Sequence, residues 1–92
     1  MEFEWDINKN NENVRRHHIS FDDATTIWNG PVLLIPSFQI HHGEARFVAI
    51  GVLKGREISV VYTIREERIR IISARRARAY ERKAYRESQK NG

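Results

Sequence analysis

Arg68-Ile69-Arg70-Ile71-Ile72-Ser73-Ala74-Arg75-Arg76 is the stretch of the sequence best suited to chemistry. A strand presents alternate side chains to one face, so Arg68 and Arg70 point the same way. The apolar alternation then stops at Ser73, a residue suited to cap a helix running from about Ala74 to Ser88. The N-terminus of such a helix offers unpaired N–H groups and a partial positive charge to an anion. Arg75 and Arg76 in its first turn would add bidentate donors for a phosphate. Arginine at that position opposes the helix dipole, a local conflict that a bound anion or a paired carboxylate would relieve. The competing expectation is structural: Arg70 and Arg75 paired with Glu44 or Glu57 across a sheet.

A second group, His41-His42-Gly43-Glu44, precedes Arg46. Imidazole exchanges protons near neutral pH, and a neighbouring carboxylate favours its charged form. Glu44 with His41 or His42 is therefore a candidate acid–base pair, with Arg46 orienting or balancing Glu44. Adjacent loop histidines also serve as plain surface polar groups. Neither His17-His18 nor His41-His42 has the spacing of metal ligands. The sequence contains no HExxH, CxxC, P-loop or GxGxxG motif, so no metal and no nucleotide cofactor is expected. Among the aromatic residues, Trp28 and Tyr62 fall at apolar-face positions and are expected in the core. Tyr85 could reach the sheet edge and stack on a base, with Arg68, Ser73 and Arg78 as further nucleic-acid contacts.

Charge supports a polyanionic partner. The 92 residues carry a net charge of +4. Between Arg65 and Arg86 there are nine basic and three acidic residues, a net +6, which leaves −2 for the rest. A nucleic acid would meet the C-terminal third first, although a solvated, salt-bridged helix face has the same composition. The length suits one domain over residues 1–92 with one modest core. There is no cysteine, which fits a reducing cytoplasm. The acidic start, Met1 to Asp6, lacks the apolar run of a signal peptide, and no apolar stretch is long enough to span a bilayer. No membrane partner is expected.

The elements that must position these residues follow from periodicity. Phe3-Glu4-Trp5 suits a short strand, and Asp6 can cap a helix to about His17, with Ile7, Val14 and Asn11 facing inward. Ser20 can cap a second helix carrying Phe21, Ala24, Ile27 and Trp28, which Asn29-Gly30-Pro31 ends. Val32 to Ile35 reads as a strand closed by Pro36, and residues 37–45 as a loop. Alternation then predicts strands over Arg46–Val52, Ile58–Ile64 and Arg68–Ile72, joined by turns at Leu53-Lys54-Gly55-Arg56 and Arg65-Glu66-Glu67. The expected fold is α+β: an antiparallel meander sheet with two N-terminal helices and a C-terminal helix.

These residues, taken in order, resemble the BrnT family of toxins. Phe3-Glu4-Trp5-Asp6, Lys9, Asn13, His17, Ser20-Phe21 and Ala24 are similar to its opening. Its middle is matched by His41 or His42 with Glu44 and Arg46, then Ala49-Ile50-Gly51, Gly55-Arg56 and Val60-Val61-Tyr62-Thr63. Arg68 to Ala77, Glu81-Arg82 and Tyr85 are similar to its end. The resemblance implies a single RelE-like toxin domain, a ribonuclease that halts growth by cutting RNA. It also implies neutralisation by a BrnA-like ribbon-helix-helix antitoxin, with operator DNA bound only through that antitoxin. Two glycines usual in the family are replaced here, by His18 after the first helix and by Glu66 in the last hairpin turn. On this reading Arg70, Arg75 and Arg76 hold the scissile phosphate, and Glu44, Arg46 and His41 or His42 manage protons without a metal. A non-catalytic nucleic-acid-binding module or co-repressor is the alternative: it would bind RNA and leave it whole. A metal-dependent nuclease would lose activity in EDTA.

Overall fold

The computed structural model describes residues 1–41 and 43–90, with the backbone alone between 36 and 41. Strand β1 (Phe3–Trp5) leads into α1 (Ile7–His17) and α2 (Phe21–Thr25), which runs on as a 3-10 turn over Thr26–Asn29. Strands β2 (Leu33–His41), β3 (Glu44–Leu53), β4 (Arg56–Arg65) and β5 (Arg68–Arg76) follow, then α3 (Ala79–Lys90). The caps lie where the sequence put them. The Asp6 carboxylate accepts from the N–H groups of Asn8 and Lys9, and Ser20 Oγ accepts from Asp23 N–H. His18 closes α1 in the left-handed region, at φ +60°, the conformation for which glycine is the usual residue at a helix C-terminus.

The strands form one five-stranded sheet in the order β1-β5-β4-β3-β2. The segments β2 to β5 make the expected meander, but the sheet is mixed: β1 pairs in parallel with β5, Phe3 opposite Ile69 and Trp5 opposite Ile71. Crossing back through the helices and three strands gives the length that a parallel pair requires. Residues 37–41 and 44–45, expected in a loop, are instead the end of β2 and the start of β3, with His41 opposite Glu44. Pro36 does not break β2, because β2 is an edge strand and its register shifts between Pro36 and Ile40. Both later hairpins turn on two consecutive residues of positive φ, Lys54-Gly55 and Glu66-Glu67, the twist that suits a two-residue hairpin.

A third difference bears on chemistry. The last strand continues to Arg76, and no helix begins at Ala74. Ser73, Ala74, Arg75 and Arg76 pair with Val61, Val60, Ser59 and Ile58 of β4. Backbone pairing with an already formed neighbour outweighs the weak helical preference of four residues. The anion site expected at a helix N-terminus there is therefore absent. Where α3 does begin, Glu81 accepts from Arg78 N–H at 2.8 Å.

One sheet face packs Ala49, Ile58, Val60, Tyr62, Ile71 and Ala74 against Phe21, Ala24 and Ile27. Gly51 lets that packing close: a Cβ there would lie 2.6 Å from the Cβ of Ile27. Trp5, Trp28 and Phe3 join the same core through ring contacts at 5.3–6.2 Å. On the other face, Ala77 and then Tyr85 of α3 cover Ile50, with Leu33, Ile35 and Val48 around them. No described helix is long and apolar enough to cross a membrane.

Candidate active site

Helix α1 does not bury the residues its apolar pattern suggests. Ile7 is 62% exposed and Val14 40%, whereas Asn13 is 4% exposed; Asn11 also faces outward. The reason lies in β5. Strand β1 pairs only as far as Ile71, so the outer backbone edge of Ala74 has no strand beside it. Asn13 fills that place. Its amide donates to Ala74 O at 2.8 Å and accepts from Ala74 N–H at 3.0 Å, and it also donates to Ile19 O at 2.8 Å. One side chain thus continues the sheet edge and fixes α1 alongside it.

Fixing α1 there turns its polar stripe toward the sheet. Lys9, Asn13 and His17 are spaced by four residues, and Glu12 and Arg16 lie beside them, the spacing of one helical face. Between this stripe and β5 is a cavity of about 380 Å³, lined by Lys9, Glu12, Arg16 and His17, by Ser73 and Ile72 of β5, and by Arg46 reaching from β3. Ile72 is the extra residue of a bulge: Val61 pairs with Ser73 and Tyr62 with Ile71. Such a bulge re-aims the side chains around it. Glu12 is bound to Arg15 on the helix surface. Among the described residues, Lys9, Arg16 and Arg46 have no ion-pair partner.

The residues singled out by sequence divide into two sets. Arg46 and Ser73 line this cavity. Glu44 and Arg70 do not line it, although Glu44 feels the charge of Arg46. Hydrogen bonds from Arg65, at 2.6 and 3.1 Å, hold the Glu44 carboxyl below the usual carboxylate range. That outweighs the opposing effect of burial, and the charges of Arg65, Arg70 and Arg46 act in the same direction. A carboxylate so held is a weakened base. Arg68 and Arg70 do share a face, since both reach Glu4, at 3.7 and 2.7 Å; Arg68 also meets Glu2 at 3.0 Å.

The second set lies elsewhere. Arg75 is clamped by Glu81 through two bonds, at 2.7 and 3.1 Å, with the Glu81 side chain 3% exposed. Neither Glu44 nor Glu57 is its partner, and Glu57 takes Arg86 instead, at 2.8 Å. Arg76 and Arg78 are exposed beyond the clamp. Tyr85 is buried, its hydroxyl donating to Pro31 O at 3.0 Å, so its ring offers no stacking surface. His41 has its backbone in β2, but its side chain, like all of His42, lies outside the described residues. No three described His, Cys, Asp or Glu side chains are grouped as metal ligands. The residues that sequence reasoning left without a role are Lys9, Arg16 and His17. Their signal was a polar stripe at helical spacing, hidden because an inward face is sought among apolar residues.

The Arg75–Glu81 clamp gives a testable account of stability. Burial pushes the Glu81 carboxyl up, but the bonds from Arg75 and from Arg78 N–H outweigh it and hold it below 4.5. A depressed carboxyl stabilises the fold at neutral pH and loses that contribution as pH falls through its folded-state value. Glu81→Gln is expected to destabilise the protein by about 2–3 kcal/mol at neutral pH. The difference should hold down to pH about 5 and shrink below about 4.5. Urea unfolding of both proteins across that range checks it; a pH-independent gap would show that the carboxylate's charge is not involved.

Comparison with known proteins bears on this cavity. The family model described as "Ribonuclease toxin, BrnT, of type II toxin-antitoxin system" matches residues 5–81, which includes all of α1 and β5. No curated protein matches the chain.

Proposed function

The chain belongs to the BrnT family of ribonuclease toxins of type II toxin–antitoxin systems, and we propose that it is an endoribonuclease whose active site is the cavity between α1 and β5. The observation that carries this reading is the meeting of Lys9, Arg16, His17 and Arg46 around one space with no free carboxylate among the described lining residues. Such a site draws in a phosphodiester and opposes its departure until charge is redistributed.

RNA brings its own nucleophile. In this mechanism His17 takes the proton of a ribose 2′-hydroxyl, and the 2′-oxygen attacks the adjacent phosphorus. The bond to the 5′-oxygen breaks, and that oxygen is protonated by Lys9 as it leaves. The products are a 2′,3′-cyclic phosphate and a 5′-hydroxyl. Arg46 and Arg16 hold the non-bridging oxygens, whose charge grows in the transition state. Ser73 adds a hydroxyl at the cavity wall, and Arg70, neutralised by Glu4, stays outside it. No step requires a metal. Cutting cellular RNA in the cytoplasm would arrest growth. An antitoxin, of BrnA-like ribbon-helix-helix type, would neutralise the toxin and carry the pair to its operator.

Purified protein incubated with RNA in EDTA is expected to yield fragments ending in 2′,3′-cyclic phosphate. Arg46→Ala should cut the rate by about 100- to 1,000-fold, as for loss of other charge-stabilising donors. Binding without fragments would leave a nucleic-acid-binding module in place of an enzyme, and activity restored only by a divalent ion would replace this mechanism with a metal-assisted one.

A further inference from the structure

We propose that a second groove, round the end of α1 from the first cavity, is a phosphate subsite that grips the RNA strand away from the cleaved bond. The choice of ligand rests on the RNA-cutting reading above. This groove has a volume of about 400 Å³ and is lined by His17, His18, Asp23, Lys54, Arg56 and Arg76 over an apolar floor. His17 lines both spaces, so they lie on either side of one residue.

The groove brings two unpaired arginines to one space, where most arginines elsewhere are paired. Arg65, Arg68, Arg70, Arg75 and Arg86 each meet a carboxylate of this chain. Among the described residues Arg56 and Arg76 meet none, and the same holds for Arg16 and Arg46 in the first cavity. The groove's carboxylate, Asp23, sits 3.8 Å from Lys54 and so offsets that lysine and not the arginines. Glutamates relieve the repulsion at those five arginines; at Arg56 and Arg76, as at Arg78 and Arg82, none does among the described residues, but only Arg56 and Arg76 line this groove. Two guanidinium groups suit phosphate oxygens. The floor, Leu53 and Ile58 with Ile19, suits the apolar face of a ribose or base. The register places Arg76 opposite Ile58 and Arg56 opposite Leu53, so both cations stand at one end of the sheet, beyond His17. A strand whose scissile phosphate lies by Arg46 and Lys9 would pass His17 and set a flanking phosphate between Arg56 and Arg76.

The test compares the parent with Arg56→Ala/Arg76→Ala, and with Arg56→Lys/Arg76→Lys. One assay is binding of a non-cleavable 2′-O-methyl 12-mer at several salt concentrations, against a dinucleotide of the same kind. The parent is expected to bind the 12-mer more tightly. The alanine double variant should lose about tenfold of that affinity, with the salt slope smaller by about 1.4, from two lost single-strand contacts. Its dinucleotide affinity should not change, and the lysine variant should recover the slope. For cleavage of a 12-mer, KM should rise with kcat unchanged. Parental affinity and slope in the alanine variant would overturn the subsite. So would a variant that keeps its affinity for the 12-mer but loses affinity for a polyglutamate peptide, which would mark the groove as a dock for an acidic protein segment. A parent that binds the 12-mer through Arg56 and Arg76 yet cuts no RNA would uphold the subsite and remove the nuclease reading.

Discussion

Alanine in place of His17 is expected to slow RNA cleavage by about 100- to 10,000-fold, the range for loss of a positioned proton-transfer group. That corresponds to about 3–5 kcal/mol in the barrier. His17 is exposed, in the last turn of α1, and contributes no described hydrogen bond to the fold. Unfolding by urea should therefore stay within about 0.5 kcal/mol of the parent. A change of activity without a change of stability separates a chemical role from a structural one. Affinity for a non-cleavable oligonucleotide should fall far less than the rate, because the arginines that would hold the strand are untouched. A folded His17→Ala protein that cuts RNA at the parental rate would mean that proton transfer runs through another residue.

Loss of Asn13 should have the largest effect on stability. Asn13→Ala removes three hydrogen bonds and leaves the N–H and C=O of Ala74 facing a gap in a fully buried position. An unsatisfied buried polar group costs about 1–3 kcal/mol, and two are created here, so a loss of about 3–4 kcal/mol is expected in urea unfolding. Asn13→Asp should fare no better, since the carboxylate keeps an acceptor for Ala74 N–H but points a second one at Ala74 O. Both variants should also lose RNA cleavage, because Lys9, Arg16 and His17 take their positions from the same anchor. A loss below about 0.5 kcal/mol, the range of ordinary surface changes, would show that α1 is held mainly by other contacts.

Much of the fold was legible because local chemistry and tertiary structure agree. Asp6 and Ser20 cap the helices they precede, Lys54-Gly55 turns a hairpin, and the alternation of β3 and β4 sorts side chains between the two faces as read. The departures arise where a distant partner decides. Ser73 to Arg76 carries a good local signature of a helix start, yet four β4 residues hold it extended. Three residues of β1 are too few to announce a partner 66 positions away. Pro36 reads as a stop unless β2 is known to be an edge. The basic stretch between Arg65 and Arg86 was visible in the sequence, but its pairing was not. Which glutamate meets which arginine depends on the register and on the Ile72 bulge, and both are properties of the assembled sheet. The site suffered most from this. Arg46 and Ser73, singled out from the sequence, line the cavity proposed as the site, whereas Lys9, Arg16 and His17 come beside them only once Asn13 has laid α1 along β5.

The parallel pairing of β1 with β5 also sets an order in time. A ribosome delivers the chain from its N-terminus, so Lys9, Arg16 and His17 emerge well before the strand that aligns them. Until Ala74 is available, Asn13 has nothing to hold and β1 has no neighbour, and contacts of such wide sequence separation form late. A nascent copy that has not yet reached Ala74 therefore lacks the anchor that lays these three side chains along β5.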